Sequence, residues 1–154
     1  MIALSRVAGT DALRLFLKVW LVMSVLVYSF LTVAVQQGWF TLLSISGSYR
    51  SNGSVPLMTM FSIVVIGPVL EEYVFRYVPI VTARAFSMDG VWLLLVALVS
   101  SALFALIHSP GTLHFPVPQF IVGVAAFYLA YRTNIFHSIV LHAANNLGAL
   151  AIPY

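Results

Sequence analysis

Glu71, Glu72 and Arg76 stand together inside a long apolar run. A charge at the centre of a bilayer costs about 2.5–3.5 kcal/mol on insertion scales, so such a cluster must face a protein interior or a water-filled cavity, and a functional site is the default reading. Spacing separates the two glutamates. Glu72 and Arg76 are four apart, share a helix face and stand in the favourable acid-before-base order, which assigns Arg76 to neutralising Glu72. Glu71 is turned from Glu72 by about 100°. It has no local cation and is free to act as an acid–base group. The bland alternative is a purely structural Glu72–Arg76 pair; buried pairs are costly and usually have a use.

Three further polar positions can join Glu71. His108 closes an apolar run, with Phe104 one turn earlier on the same face. Counted from a hairpin turn near Met88, Glu71 lies 17 residues before it and His108 lies 20 after it. At helical rise both are about 25–30 Å from that turn, so antiparallel helices bring them to a similar level. His142 and Asn146 are four apart and project from one face; Asn145 is the alternative partner of His142. Both side chains are costly against lipid and should point inward, either to a site or as interhelical hydrogen-bond glue. His114, in a Pro-rich loop, and His137 read as interfacial, and neither is given a role.

The elements that must hold these residues are membrane helices. The 154 residues suffice for one domain, with 62% hydrophobic and 7% charged side chains. A soluble domain carries about 25% charged residues, so lipid must cover most of this chain. With no cysteine, thiolate metal sites, disulfides and cysteine nucleophiles are excluded. The net charge of +3 comes from scattered Lys and Arg without a basic stripe, which argues against nucleic acid as a partner.

The pattern predicts an all-α, polytopic bundle of about five transmembrane helices. The expected spans are Val19 to Val35, Leu57 to Phe86 interrupted by Pro68 and Pro79, Val91 to Ile107, a short one from Val117 to Tyr131, and Ile135 to Ile152. The third stops at Ser109-Pro110-Gly111. The first has a basic front but no small-x-small cleavage site after it, and is read as a retained anchor and not a signal peptide. Residues 1–56 are thus an N-terminal anchor helix and an external Ser/Gly-rich loop, Thr41 to Pro56, and residues 57–154 a four-helix core. A cytoplasmic N-terminus puts Arg6, Arg14, Lys18, Arg84 and Arg132 inside and only Arg50 outside, in accord with the positive-inside rule.

Taken together, Glu71-Glu72-Tyr73-Val74-Phe75-Arg76, Phe104-Ala105-Leu106-Ile107-His108 and His142-Ala143-Ala144-Asn145-Asn146 resemble the EExxxR, FxxxH and HxxxN motifs of the CPBP family, the type II CAAX-prenyl proteases and their bacteriocin-processing relatives. Three motifs in order, each in an apolar helix, are fairly specific, and the resemblance covers Leu57 to Tyr154. It implies an intramembrane endopeptidase in which Glu71 and His108 activate a water and His142 and Asn146 donate to the oxyanion, with Glu72, Arg76, Phe104 and Asn145 in support. The implied substrate is a membrane-associated peptide or protein tail. Because the prenyl-protein members are larger, a leader peptide or a C-terminal sorting segment is the expected form here.

No cofactor is expected on this reading. The alternative is zinc on Glu71, His108 and His142 with a fourth position open, although no HExxH spacing exists and no second shell is evident in the sequence. Two other classes compete: a non-catalytic immunity or scaffold protein, and a proton-coupled transporter. The absence of inverted repeats weighs against the transporter.

Overall fold

The computed structural model describes residues 9–36, 57–108 and 115–151. Among them are five helices: α1 (Gly9–Gln36), α2 (Leu57–Ala85), α3 (Gly90–Ile107), α4 (Val117–Arg132) and α5 (Ile135–Ala151). Their bounds follow the apolar runs closely, except that α1 begins well before Val19. Arg6, Arg50, His114, the loop Thr41 to Pro56 and the turn Ser109-Pro110-Gly111 lie outside the described residues.

Among the described residues α2 and α3 are long and apolar enough to cross a membrane, and α4 is a shorter apolar helix. Large apolar side chains cover the outer surface; Leu94, Leu95, Val99, Leu103 and Leu106 of α3 are all exposed. Apolar exposure on this scale suits contact with lipid, because soluble monomers rarely present contiguous apolar patches of more than a few hundred Å². Among the described residues the all-helical architecture holds with five helices, two of which combine the length and hydropathy of a span.

The expected interruptions at Pro68 and Pro79 are absent as breaks. α2 continues through both prolines by widening to a π-turn before each, at Ser62–Ile66 and Tyr73–Tyr77. Gly67 N–H bonds to Ser62 O and Val78 N–H to Tyr73 O, each five residues back and each just ahead of a proline. Proline removes a donor and crowds the carbonyl four residues earlier; local π adjustment and side chains from neighbouring helices can re-satisfy what it frees. Pro79 leaves Phe75 O without its α-helical partner, and Ser100 Oγ of α3 donates to it.

α4 is the central helix. It packs on α1, α3, α5 and the second π-turn of α2. Met23 and Val27 of α1 bury against Val122, Ala126 and Leu129 of α4 and Leu141 of α5. On another side Ile80 of α2 meets Phe127 and Ala130. α3 approaches α4 closely at Gly123, where an added Cβ would lie 3.0 Å from Ser101 Cβ and 3.3 Å from the Phe104 ring. Small residues at such crossings are the usual basis of helix packing in membranes.

The ends of the elements are set locally. α2 closes with Met88 N–H on Ala83 O at 2.8 Å and Ser87 at φ 52°, a left-handed C-terminal motif. α5 starts at Asn134, whose Oδ1 accepts from His137 N–H at 3.2 Å, an N-cap. His137 Nδ1 shares that oxygen at 2.9 Å, which accounts for this histidine without a functional role.

Candidate active site

Residues from α2, α3 and α5 meet inside the bundle. Glu71 Oε2 lies 3.3 Å from His108 Nε2 and 3.7 Å from His142 Nε2. One ligand-capable atom from each of these residues falls within 4.8 Å of the other two. His142 is buried, whereas Glu71 and His108 keep 27% and 29% of their side-chain surface open, so the cluster is reached from the Glu71–His108 side.

The two imidazoles are held alike. His142 Nδ1 faces Glu72 Oε1 at 3.0 Å, and His108 Nδ1 faces Phe104 O at 2.8 Å. Carboxylate and carbonyl oxygens only accept, so each Nδ1 carries the hydrogen and donates it. Each Nε2 is thereby turned toward Glu71. Were both Nε2 atoms bare, three acceptors would converge on one point. The arrangement therefore calls for a hydrogen or a cation among them.

Glu72 does more than the expected pairing. Arg76 Nε lies 3.4 Å from Glu72 Oε2, and both side chains are fully buried. The other oxygen of Glu72 takes the His142 hydrogen bond, while Ser138 Oγ donates to Oε2. Glu72 is thus the link between α2 and α5 as well as the counter-charge of Arg76. Arg76 Cζ sits 4.3 Å over the Phe104 ring, a cation–π contact. Phe104 also packs edge-on against His142, with centroids 5.2 Å apart, and at 4.5 Å from His108. It fills the space between the charged pair and the two imidazoles.

Asn146 reaches α2 at a place the sequence alone does not show. Its Nδ2 donates to Ile63 O at 2.9 Å. In an α-helix the donor to Ile63 O would be Gly67, but Gly67 bonds to Ser62 O; in the π register it would be residue 68, a proline. The Asn146 amide supplies the missing donor. Ser138, His142 and Asn146 recur every four residues and form one polar stripe of α5 against α2. Among the described residues no hydrogen bond from Asn145 joins this cluster.

His142 lies only eight residues after Asn134, or about 12 Å at helical rise, against about 25–30 Å for Glu71 from its own turn, yet the two side chains meet. An offset between the two turns takes up part of this difference. The α4–α5 turn is recessed along α2: Phe127 and Ala130 pack on Ile80, and Arg84 Nη2 reaches Tyr131 O at 3.4 Å. Ser138 was missed. Its signal was its position one turn before His142 on the same face.

A family model described as Type II CAAX prenyl endopeptidase Rce1-like matches residues 53–148, more than half of the chain. No curated protein and no solved structure matches it.

Proposed function

The chain belongs to the Rce1-like type II CAAX prenyl endopeptidase family of intramembrane proteases, and from that premise we propose that it hydrolyses a peptide bond in a membrane-associated peptide or protein tail at Glu71. The observation that carries this reading is the convergence of His108 Nε2 and His142 Nε2 on one oxygen of Glu71, on the open side of the cluster. A water between Glu71 and His108 gives its proton to the Glu71 carboxylate as its oxygen attacks the scissile carbonyl. Glu71 then passes that proton to the leaving amine, and the C–N bond breaks. His142 is the oxyanion donor through a hydrogen on Nε2. With its Nδ1–H on Glu72, the ring is held in one orientation for that task. Asn146 keeps one amide hydrogen on Ile63 O and offers the second. Preorganised donors of this kind are worth roughly 10²–10³ in rate each.

A second reading rests on the same distances. Tetrahedral zinc with bonds near 2.0 Å places its ligand atoms about 3.3 Å apart. The 3.3 and 3.7 Å separations fit that spacing. Both histidines also donate Nδ1–H to an oxygen, the partner that a metal-binding imidazole uses to fix its tautomer. Glu71, His108 and His142 would then hold the ion, leaving a fourth position for water. Zinc there would supply Lewis acidity and a more acidic bound water.

The test uses the full chain in proteoliposomes. The probes are a quenched-fluorescent peptide with a farnesylated cysteine fourth from its C-terminus, and unprenylated apolar leader peptides. Cleavage of any member that survives exhaustive chelation supports the metal-free reading. Cleavage that is lost on chelation and restored by zinc supports the second. No cleavage across the panel, with folded protein, removes both.

A further inference from the structure

Ser138 stands in none of the three motifs, yet its hydroxyl is fully buried and spent on the carboxylate that orients His142. Glu72 has two oxygens to place. Oε1 is held by His142 Nδ1. On Oε2 the neighbours are Ser138 Oγ, which donates to it, and Arg76 Nε at 3.4 Å, which makes no hydrogen bond in this geometry. Arg76 balances the charge without fixing the rotation of the carboxylate. Among the described residues Ser138 is the hydrogen-bond donor on Oε2. Serine in a membrane helix commonly satisfies itself on the carbonyl four residues back; this one spans to α2.

We infer that Ser138 is a positioning residue for the hydrolysis: by holding Glu72 Oε2 it keeps Oε1 on His142 Nδ1 and so keeps Nε2 aimed at Glu71. The inference rests on the proposed role of His142, and it holds in both the metal-free and the zinc version, because each needs Nδ1–H fixed on Glu72. Without the hydroxyl, the carboxylate has one donor fewer and can roll toward Arg76. His142 Nδ1–H then loses its fixed acceptor, and the ring its single orientation. Threonine carries the same hydroxyl and preserves the contact; alanine does not.

The chain has four histidines, so a ¹⁵N-histidine spectrum of the full protein in nanodiscs can be assigned with a His142→Gln control. The expected wild-type signal for His142 is a protonated Nδ1. Ser138→Ala is expected to add a population with a bare Nδ1, and Ser138→Thr to restore the wild-type signal. On the farnesylated peptide, Ser138→Ala is expected to lower kcat roughly 10–100-fold with KM unchanged, the usual cost of removing a partner that orients a functional side chain. In a Glu72→Gln background Ser138→Ala should have no further effect on kcat. An unchanged His142 signal in Ser138→Ala overturns the inference. So does an equal loss of kcat in Ser138→Ala and Ser138→Thr, which would report packing alone. If wild type cleaves nothing, the proposed function falls, and the His142 spectrum still decides the role of Ser138.

Discussion

His142 and Glu72, 70 residues apart in sequence, are joined by a 3.0 Å hydrogen bond from Nδ1 to Oε1 inside the bundle. Glu72 also faces Arg76, so one carboxylate serves a charge pair and a histidine at once. Removing it leaves the Arg76 guanidinium buried without a counter-charge. Breaking a buried pair by deleting one partner costs about 3–5 kcal/mol. Glu72→Ala should therefore lower the unfolding temperature markedly in detergent, and Glu72→Gln combined with Arg76→Met should recover much of that loss. The same double variant should stay poorly active, because His142 Nδ1–H then meets a neutral amide oxygen in place of the charged carboxylate that holds it. Recovery of activity together with stability would contradict the orienting role of Glu72.

Asn146 replaces a hydrogen bond that Pro68 prevents. Asn146→Ala leaves Ile63 O, part-buried against α5, without its donor, which costs at most about 1–3 kcal/mol. Pro68→Ala restores an N–H at residue 68 that can serve Ile63 O in the π register. The destabilisation by Asn146→Ala should thus be smaller in the Pro68→Ala background. A thermal-unfolding double-mutant cycle checks this; additive effects would mean that the two residues act independently.

Gly123 lets α3 and α4 touch. Alanine there puts a methyl 3.0 Å from Ser101 Cβ and 3.2 Å from Ser101 Cα, with the Phe104 ring at 3.3 Å. Overpacking of this kind costs about 1–3 kcal/mol. Because Phe104 lies against both His108 and His142, Gly123→Ala should also lower kcat by more than its effect on stability predicts. Equal stability of wild type and variant would show that the helices separate at no cost.

The helices were legible because lipid demands long apolar runs, and those runs end at Asp89-Gly90, Ser109-Pro110 and Thr133-Asn134. The level match of Glu71 and His108 was legible too, since both helices leave one hairpin turn and rise at the same rate. The relation of His142 to them was not. It depends on how far the α4–α5 turn is recessed along α2, and that is set by packing of Ile80 on Phe127 and Ala130, contacts between residues far apart in sequence. The π-turns were hidden for a similar reason. Proline alone signals a lost hydrogen bond; whether the helix breaks or widens depends on the donors nearby, here Asn146 and Ser100. The i+4 spacing correctly paired Glu72 with Arg76, but no spacing rule within one helix could supply its partners on α5.

In the proposed function Glu71 performs the chemistry. The most direct measurement is the cleavage rate of Glu71→Gln against wild type in proteoliposomes, on whichever peptide wild type cuts, with thermal unfolding as the control for folding. The expected kcat of Glu71→Gln is lower by about 10²–10⁴-fold, the usual worth of a general acid–base group, with the unfolding temperature retained. Wild-type cleavage by folded Glu71→Gln would contradict it.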